Sequence, residues 1–340
     1  MKNLFRIFNV LLILILISVT GAVAVNYLQI WSPGPGKTQV TVDIEPGRST
    51  SDIGDMLSQK GLIKSSFIFR LVSKYTKTGE KLQAGKYTLH TGMSMIEILD
   101  ALQHGVDAQT YSFTVPEGYT SRQIAFLLKN KGSIDEKEFM DIVKSKKGIN
   151  FKYSHILKGK TLEGFLFPDT YSVYKDSTPL EIINKMLQQF QDVVPQDSEY
   201  LSEKKGLSMY KLIVLASLIE REAKVEDERP IVAAVYYNRI KKDMLLECDA
   251  TIQFLFDSPK EFLTYKDLEI DSPYNTYLYK GLPPGPIANP GLSSIKAALS
   301  PASVTYLYYV VKGNGRHKFS NTYEEHLQAV EEYRKSIENQ

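Results

Sequence analysis

The sequence is organised around Lys211-Leu-Ile-Val-Leu-Ala-Ser-Leu-Ile219, an apolar run that ends on Glu220-Arg221-Glu222. With residues 208–210 the run is long enough for a helix, and its composition predicts a buried one. Glu220 therefore stands at the end of a buried helix, where a protein can close over a cleft. Partial burial there would favour the protonated carboxyl group that a general acid needs. The alternative is an ordinary solvated glutamate at a helix end.

Three further features lie around this run. Glu222 comes two positions after Glu220 and points about 200° away on a helix, so we expect it to have a structural role. Pro230 suits the first turn of a second helix, predicted over residues 230–240. Further on, residues 281–291 hold four prolines and three glycines, which excludes a helix or a central strand. Such a rigid loop can wall a groove, and the alternative is a purely structural loop.

The half of the chain before this region contains an internal repeat. At a constant spacing, Gly47, Ile53, Leu57, Lys60, Gly61, Ile63 and Val72 recur as Gly118, Ile124, Leu128, Lys131, Gly132, Ile134 and Val143. Each copy has a β-like run, a turn and an apolar i, i+3, i+4 pattern that predicts a helix facing a core. We therefore expect two related β/α modules, residues 40–108 and 109–200, the second with an insertion. The first resembles the LysM-like domains that bind glycan chains, and the alternative is a spacer.

The N-terminus carries a membrane signal. Residues 7–31 contain no charged side chain and are long enough to cross the hydrocarbon core, about 30 Å thick. Lys2 and Arg6 precede them, which predicts a cytoplasmic N-terminus and an extracytoplasmic body. Residues 32–39 are expected to be a linker. The competing interpretation is a cleaved signal peptide, because residues 22–24 read Ala-Val-Ala.

Composition excludes several classes of protein. The 340 residues are 43% apolar and 24% charged, so the bulk of the chain is a folded protein and neither disordered nor collagenous. A net charge of +2 gives no case for a nucleic-acid binder. The single cysteine, Cys248, excludes an internal disulfide and a CxxC zinc or redox site. We expect no cofactor and no metal: the five histidines form no HExxH motif, and the Gly-x-Ser-x-Gly motif of serine hydrolases is absent.

Several segments, in one order along the chain, resemble the MltG/YceG-like endolytic murein transglycosylases. They are Leu162-Glu-Gly-Phe-Leu-Phe-Pro-Asp-Thr-Tyr171, Ala216-Ser-Leu-Ile-Glu-Arg-Glu222, Tyr237-Asn-Arg239, Ser272-Pro-Tyr-Asn-Thr-Tyr277, the loop 281–291, Tyr308-Tyr-Val and Gly315-Arg-His-Lys-Phe-Ser320. One departure is Leu246-Glu-Cys-Asp-Ala-Thr251, where the family tends to have Leu-Gln-x-Asp-Pro-Thr. Glu247 and Ala250 therefore do not carry over, whereas Asp249 and Thr251 still match.

The resemblance implies a fold, a reaction and a setting. The fold would be α+β: an N-terminal transmembrane helix, LysM-like β/α modules and an α+β catalytic domain over residues 205–335. The enzyme would cut the MurNAc–GlcNAc β-1,4 bond within nascent peptidoglycan strands and leave 1,6-anhydro-MurNAc ends. Glu220 would be the catalytic residue, acting as acid and then as base. The setting would be the bacterial inner membrane, with peptidoglycan synthases (penicillin-binding proteins) as partners and no nucleic acid.

The matching segments also supply candidate substrate-binding residues. These are Asn238, Asp249, Gln253, Tyr274, Asn275, Tyr277, Asn289 and His317. We expect residues 272–277 and 281–291 to form one wall of a glycan groove facing Glu220, with Asn275 bonding an N-acetyl group. The alternative is that Asn275 holds its own turn. At the level of the whole protein, the alternative to an enzyme is a non-catalytic, membrane-anchored glycan-binding scaffold of the wall-synthesis machinery.

Overall fold

The computed structural model describes residue 30 and residues 36–45, 47–105, 110–131, 134–174 and 177–338. Apart from Ile30, the predicted transmembrane segment lies outside the described residues. Among those described, no helix is both long and apolar enough to cross a membrane. The described chain is α+β, as predicted, with twelve α-helices and three two-stranded sheets. It divides into two compact units, with the boundary between Thr110 and Tyr111.

The first unit is a two-stranded sheet with three helices. Its elements are β1 (Gln39–Ile44), α1 (Thr50–Gln59), α2 (Ser66–Tyr75), β2 (Gly85–His90) and α3 (Met95–His104). The strands pair antiparallel, with Val42 opposite Tyr87. Successive side chains of a strand point to opposite faces, and here one face of the sheet supplies the core of the unit. Val42 and Ile44 of β1 and Tyr87 and Leu89 of β2 are buried in it.

The second unit begins in the same way and continues with a helical region. Its first elements are β3 (Thr110–Thr114), α4 (Ser121–Asn130), α5 (Glu136–Ser145), β4 (Thr170–Tyr174) and α6 (Pro179–Val193). They are followed by α7 (Ser198–Lys204), α8 (Met209–Glu222), α9 (Arg229–Lys241), α10 (Asp249–Gln253), α11 (Leu292–Leu299), β5 (Tyr308–Gly313), β6 (Arg316–Ser320) and α12 (Tyr323–Glu338). β3 pairs with β4, and β5 pairs antiparallel with β6.

The two copies of the repeat share details beyond their strand–helix–helix–strand–helix order. Capping boxes open the helix after each strand: Ser49 for α1, Ser94 for α3, Thr120 for α4 and Thr178 for α6. Each box satisfies backbone N–H groups that a helix start leaves unpaired. In both copies a tyrosine hydroxyl donates to the carbonyl four residues earlier, Tyr87 to Gln83 and Tyr171 to Phe167. The repeat is therefore structural as well as sequential.

Helix α8 is the centre of the second unit. Every residue from Leu212 to Ile219 is buried, which confirms the buried helix predicted there. α9, α10 and α11 pack around it. Its core is continuous with that of the second copy of the repeat, because Phe113, Phe165 and Phe190 belong to the same cluster of buried side chains. The predicted boundary near residue 200 thus runs through one core, and the division into a module and a catalytic domain stays a prediction.

Candidate active site

Glu220 lies in the last turn of α8, with only 5% of its side chain exposed. A carboxylate is unfavourable at this end of a helix dipole, so other groups must compensate for it. Its Oε1 accepts a hydrogen bond from Nη2 of Arg229 at 3.0 Å. Its Oε2 accepts one from the backbone N–H of Gly291 at 2.8 Å. The carboxylate is therefore held between the first residue of α9 and the end of the loop 281–291.

Arg229 also faces a second carboxylate. Its Nη2 lies 3.6 Å from Oε2 of Glu117, and its own side chain is 12% exposed. The Nε of Arg229 is buried and has no hydrogen-bond partner among the described residues. Glu117 is half-exposed, and partial burial together with the negative charge of Glu220 raises its pKa, whereas Arg229 opposes that rise. Two carboxylates thus share one guanidinium.

Close backbone approach makes this cluster possible. A Cβ atom at Gly291 would overlap the carboxylate of Glu117, so only glycine leaves room for both carboxylates beside this backbone. The neighbour of Glu117, Gly118, has φ +77° and donates its N–H to the carbonyl of Asn289 at 3.0 Å. Arg221 donates from Nη1 to the carbonyl of Gly118 at 3.2 Å. The segment before α4 and the end of the loop 281–291 are therefore both pinned at the end of α8.

A buried carboxyl group, Glu163, secures these two segments. Both of its oxygens accept from the N–H of Ser121, at 3.0 and 3.1 Å, at the start of α4. Oε1 also accepts from Nδ2 of Asn289 at 3.0 Å. Burial raises the pKa of Glu163 to about 7, although the hydrogen bonds from Ser121 oppose the rise. Asn289 in turn donates to the carbonyl of Tyr119 and accepts from the N–H of Leu166. This predicted substrate residue is a fully buried cross-link.

A cavity of about 200 Å³ adjoins the cluster. Its lining includes Arg221, which follows Glu220 in the chain, and Glu163. It also brings together two predicted substrate residues, Gln253 and Tyr274, with the basic side chain of Arg122. The cavity is therefore a recess of mixed polar and apolar lining that reaches Arg221, and Glu220 itself is not among its lining residues. Among the described residues, no group of three or more histidine, cysteine, aspartate or glutamate side chains is placed to hold a metal ion.

Two predicted substrate residues have partners that indicate structural roles. Nδ2 of Asn238 donates to the carbonyls of Val304 and Tyr306, both at 3.0 Å, and so ties α9 to the chain before β5. His317 is buried in β6, and its Nδ1 lies 2.8 Å from Oε2 of Glu228. The backbone N–H of His317 donates to the same carboxylate. Neither side chain has a contact with Glu220.

Four other predicted residues lie in α10 or in the segment 272–277. Asp249 is exposed at the start of this helix and accepts a hydrogen bond from the hydroxyl of Tyr277. Gln253 donates to the carbonyl of Lys260 at 3.0 Å and accepts from its N–H at 2.8 Å. Gln253 thereby fixes the loop after α10. Tyr274 packs on Phe254, with ring centroids 5.1 Å apart. For all of these residues, a role in substrate binding stays a prediction.

Asn275 is fully buried inside its own loop. Its Nδ2 donates to the carbonyls of Leu268 and Ile270, at 2.9 and 2.8 Å. Its Oδ1 accepts from the N–H of Tyr277 at 2.9 Å. All of these bonds are local, which favours the turn-holding role over the expected contact with an N-acetyl group. Of the two predicted wall segments, only the loop 281–291 contacts Glu220, through Gly291.

We expect Asn275→Ala to destabilise the protein and to leave activity per folded molecule close to wild type. The change leaves two carbonyls and one N–H of a partly buried loop without their partner, and each unsatisfied group costs at most about 1–3 kcal/mol. The melting temperature and the rate of glycan cleavage, measured on one preparation, test this. Asn321→Ala is the control, because Asn321 is exposed and accepts one bond, from Thr305. An unchanged melting temperature with weakened cleavage would instead favour the groove wall.

Glu222 lies in a separate polar cluster behind the helix end. Its Oε1 accepts from the thiol of Cys248 at 3.1 Å, and its Oε2 accepts from the hydroxyl of Tyr309 at 3.2 Å. Burial raises the pKa of Glu222, and the two hydrogen bonds oppose the rise. Tyr309 is in turn 3.1 Å from the hydroxyl of Tyr236. These bonds agree with the structural role expected for Glu222.

The sequence profile of the YceG-like family matches residues 42–332. The chain belongs to this family. Its similarity to characterised relatives is spread over most of its length. It is 39% identical over 317 residues to a Bacillus subtilis protein named endolytic murein transglycosylase, a match that covers 87% of this chain and 85% of the relative. It is 32% identical over 326 residues to the protein of that name from Streptococcus pneumoniae, of which the match covers 59%.

A solved structure has the same fold as this YceG-like chain. The crystal structure of a YceG-like protein from Listeria monocytogenes superposes with a TM-score of 0.57 at 34% sequence identity. The match covers 86% of this chain and 99% of that one. The likeness extends over nearly the whole Listeria chain.

Sequence reasoning about this YceG-like chain missed Glu117 and Arg229. Arg229 precedes Pro230 and looks like an ordinary charge near a helix start. Glu117 had one usable signal, in the repeat: the residue before the turn glycine is Pro46 in the first copy and Glu117 in the second. A charged residue in one copy of a repeat, at a turn position where the other copy has proline, is a candidate functional residue. Nothing in the sequence, however, indicates that the two residues meet.

Proposed function

We propose that this chain is an endolytic murein transglycosylase, which cuts MurNAc–GlcNAc β-1,4 bonds within peptidoglycan strands and leaves 1,6-anhydro-MurNAc ends. The observation that carries the proposal is the nearly buried Glu220 carboxylate, which accepts hydrogen bonds from Arg229 and from the Gly291 N–H, while the next residue, Arg221, lines a cavity. Membership of the YceG-like family and the names of the relatives support the same reaction.

In the proposed mechanism Glu220 acts twice. Its protonated carboxyl group first donates a proton to the glycosidic oxygen, and the bond between C1 and that oxygen breaks. The resulting carboxylate then accepts the proton of the C6 hydroxyl group of the same MurNAc, whose oxygen bonds to C1. The proton that left Glu220 is thereby replaced, and no water is consumed. One carboxyl group suffices because the nucleophile is already positioned within the substrate.

The contacts of Glu220 suit the charge that appears on it. After the first proton transfer the carboxylate is stabilised by Nη2 of Arg229 and by the N–H of Gly291, which are already in place. Preorganised donors of this kind need no rearrangement at the moment of reaction. The first step, however, needs the acid form of Glu220, in which the ion pair with Arg229 is absent.

Mass spectrometry of the fragments released from purified peptidoglycan strands tests the proposal. We expect wild-type protein to release fragments with 1,6-anhydro-MurNAc ends, and Glu220→Gln to release almost none. Reducing MurNAc ends would indicate that water is the nucleophile. If the folded wild-type chain binds strands and never cuts them, the chain is a glycan-binding scaffold and the proposal fails.

We also propose that residues 7–31 anchor the chain in the bacterial inner membrane, with the catalytic unit outside the cytoplasm. Lys2 and Arg6 before an uncharged apolar run support this orientation. Washing membranes with carbonate should leave the full-length chain in the membrane fraction. A soluble chain that begins at Val25 would establish a cleaved signal peptide instead.

The first unit is proposed to be a LysM-like module that contacts glycan strands. Helix α2 supports this with an exposed face on which Phe67 and Tyr75 are 59% and 86% exposed, next to the basic side chains of Arg70 and Lys74. Exposed aromatic rings offer flat apolar faces to sugars. An enzyme that cuts nascent strands works where they are made, so peptidoglycan synthases are the proposed protein partners.

A further inference from the structure

The charged groups around Glu220 give Arg229 a close counter-ion only when Glu220 is ionised. The charged groups that face the cluster are Arg229 from α9, Arg221 from α8, and the carboxylates of Glu117, Glu220 and Glu226. Arg221 is committed to the carbonyl of Gly118. Arg229 is the guanidinium that both Glu117 and Glu220 contact. With Glu220 ionised, the short contact of 3.0 Å pairs Arg229 with it.

Protonation of Glu220 removes that ion pair. Arg229 is only 12% exposed, and its Nε has no partner among the described residues. A buried guanidinium without a counter-ion is strongly unfavourable, because desolvation is then uncompensated. The enzyme nevertheless needs the protonated form of Glu220 to donate a proton. Another anion must therefore be available to Arg229 whenever Glu220 is neutral.

We propose that Glu117 is this alternate counter-ion: it pairs with Arg229 when Glu220 is protonated and thereby makes the acid form of Glu220 available. Glu117 is a positioning residue in this scheme, since it acts through Arg229 and exchanges no atom with the substrate. The proposal rests on the proposed role of Glu220. Its geometric basis is the 3.6 Å contact between Arg229 and Glu117 and the packing of the Glu117 carboxylate on Gly291.

The electrostatics of Glu117 agree with this arrangement. Burial, and then the negative charge of Glu220, raise the pKa of Glu117. When Glu220 takes a proton, this repulsion disappears and Glu117 is favoured as an anion next to Arg229. The half-exposed position of Glu117 lets it ionise at a modest desolvation cost.

The pH profile of kcat/KM separates this role from a merely structural one. In Glu117→Gln, Glu220 is the only carboxylate left to pair with Arg229. The protonated form of Glu220 is therefore lost at a lower pH than in the wild type. We expect the pH above which kcat/KM falls to be lower by about one unit in this variant than in the wild type. At pH values above that point kcat/KM should be about tenfold below wild type, and at lower pH it should be close to wild type. In Glu117→Gln combined with Arg229→Gln, no guanidinium needs a counter-ion, and the pH above which kcat/KM falls should return towards the wild-type value.

Glu226→Gln is the matched control. Glu226 also contributes negative charge near Glu117, but its carboxylate accepts a bond from Ser293 at 2.7 Å, and the described residues show no ion pair between it and Arg229. An unshifted pH profile in Glu117→Gln, an equal shift in Glu226→Gln, or a loss of equal size at every pH would overturn the inference. Should Glu117→Gln fail to fold, Glu117→Ala gives the same test, because it also removes the carboxylate that contacts Arg229.

The experiment also distinguishes this inference from the proposed function. Full activity in a folded Glu220→Gln variant would refute the role of Glu220. An inactive Glu220→Gln variant together with a wild-type pH profile in Glu117→Gln would refute only the role of Glu117.

Discussion

Glu220→Gln is expected to lower glycan cleavage close to the upper end of the ~10²–10⁴-fold range typical of general acid–base groups. The high end is expected because one carboxyl group serves both proton transfers of the proposed mechanism. Glutamine keeps the volume of the side chain and an oxygen that can accept from Gly291, but it neither donates nor takes the proton. The initial rate of release of anhydro-ended fragments is the measurement.

Folding must be checked alongside that rate. Glutamine places an amide NH₂ where Glu220 has its second oxygen, opposite a donor, and Arg229 then depends on Glu117 alone. We therefore expect a modest fall in melting temperature, and cleavage is compared per folded molecule. Glu226→Gln removes the same charge from an exposed position and should stay active. Retention of more than about a tenth of the activity by folded Glu220→Gln would remove Glu220 from the mechanism.

Gly164→Ala is expected to destabilise the second unit by about 3–5 kcal/mol, the sum of a strained backbone and an overpacked core. Gly164 has φ +90°, a conformation that side chains with a Cβ rarely adopt. An added Cβ would lie 2.5 Å from Cγ of Pro286 and 2.9 Å from Cγ2 of Ile213. A proline ring and a buried helix residue have little freedom to move away, so the strain stays in the folded state.

Gly159→Ala is the matched control for this change. Gly159 has a similar φ of +70°, but no atom lies within 4 Å of the position that its Cβ would take. Gly159→Ala should lower the free energy of unfolding by only about 1 kcal/mol, because it introduces backbone strain without a steric clash. Urea unfolding of both full-length variants gives the comparison. If the urea midpoints of the two variants shifted equally, the clash of the added Cβ with Pro286 and Ile213 would contribute nothing to the destabilisation.

Local patterns were sufficient to predict the two helices that carry the candidate site. The apolar run 211–219 and Pro230 predicted α8 and α9 because burial and helix-start preferences act over a few residues. The proline-rich segment 281–291 is indeed neither helix nor strand. The repeat was likewise predicted, because the same residues recur at a constant offset. Two copies of one strand and helix order keep their apolar residues at matching positions.

The contacts of the site could not be predicted in this way. Glu117, Glu220, Arg229 and Gly291 come from separate segments, and only tertiary packing brings them together. The donor at Gly291 is a backbone N–H. Every residue except proline has one, so the sequence does not indicate which N–H donates to Glu220. Asn275 shows the opposite case: its polar neighbours looked like a sugar-binding surface, but burial of the loop turned its side chain inward.

Gly291 follows Glu117 by more than half the length of the chain, and its N–H completes the hydrogen bonding of Glu220. During synthesis, therefore, Glu117, Glu220 and Arg229 leave the ribosome before Gly291, which supplies the second donor to Glu220. If the nascent polypeptide is exported N-terminus first, a partly translocated chain has no assembled centre. In that case the order of the sequence itself would keep incomplete chains from cutting the wall before the Glu220 centre is complete.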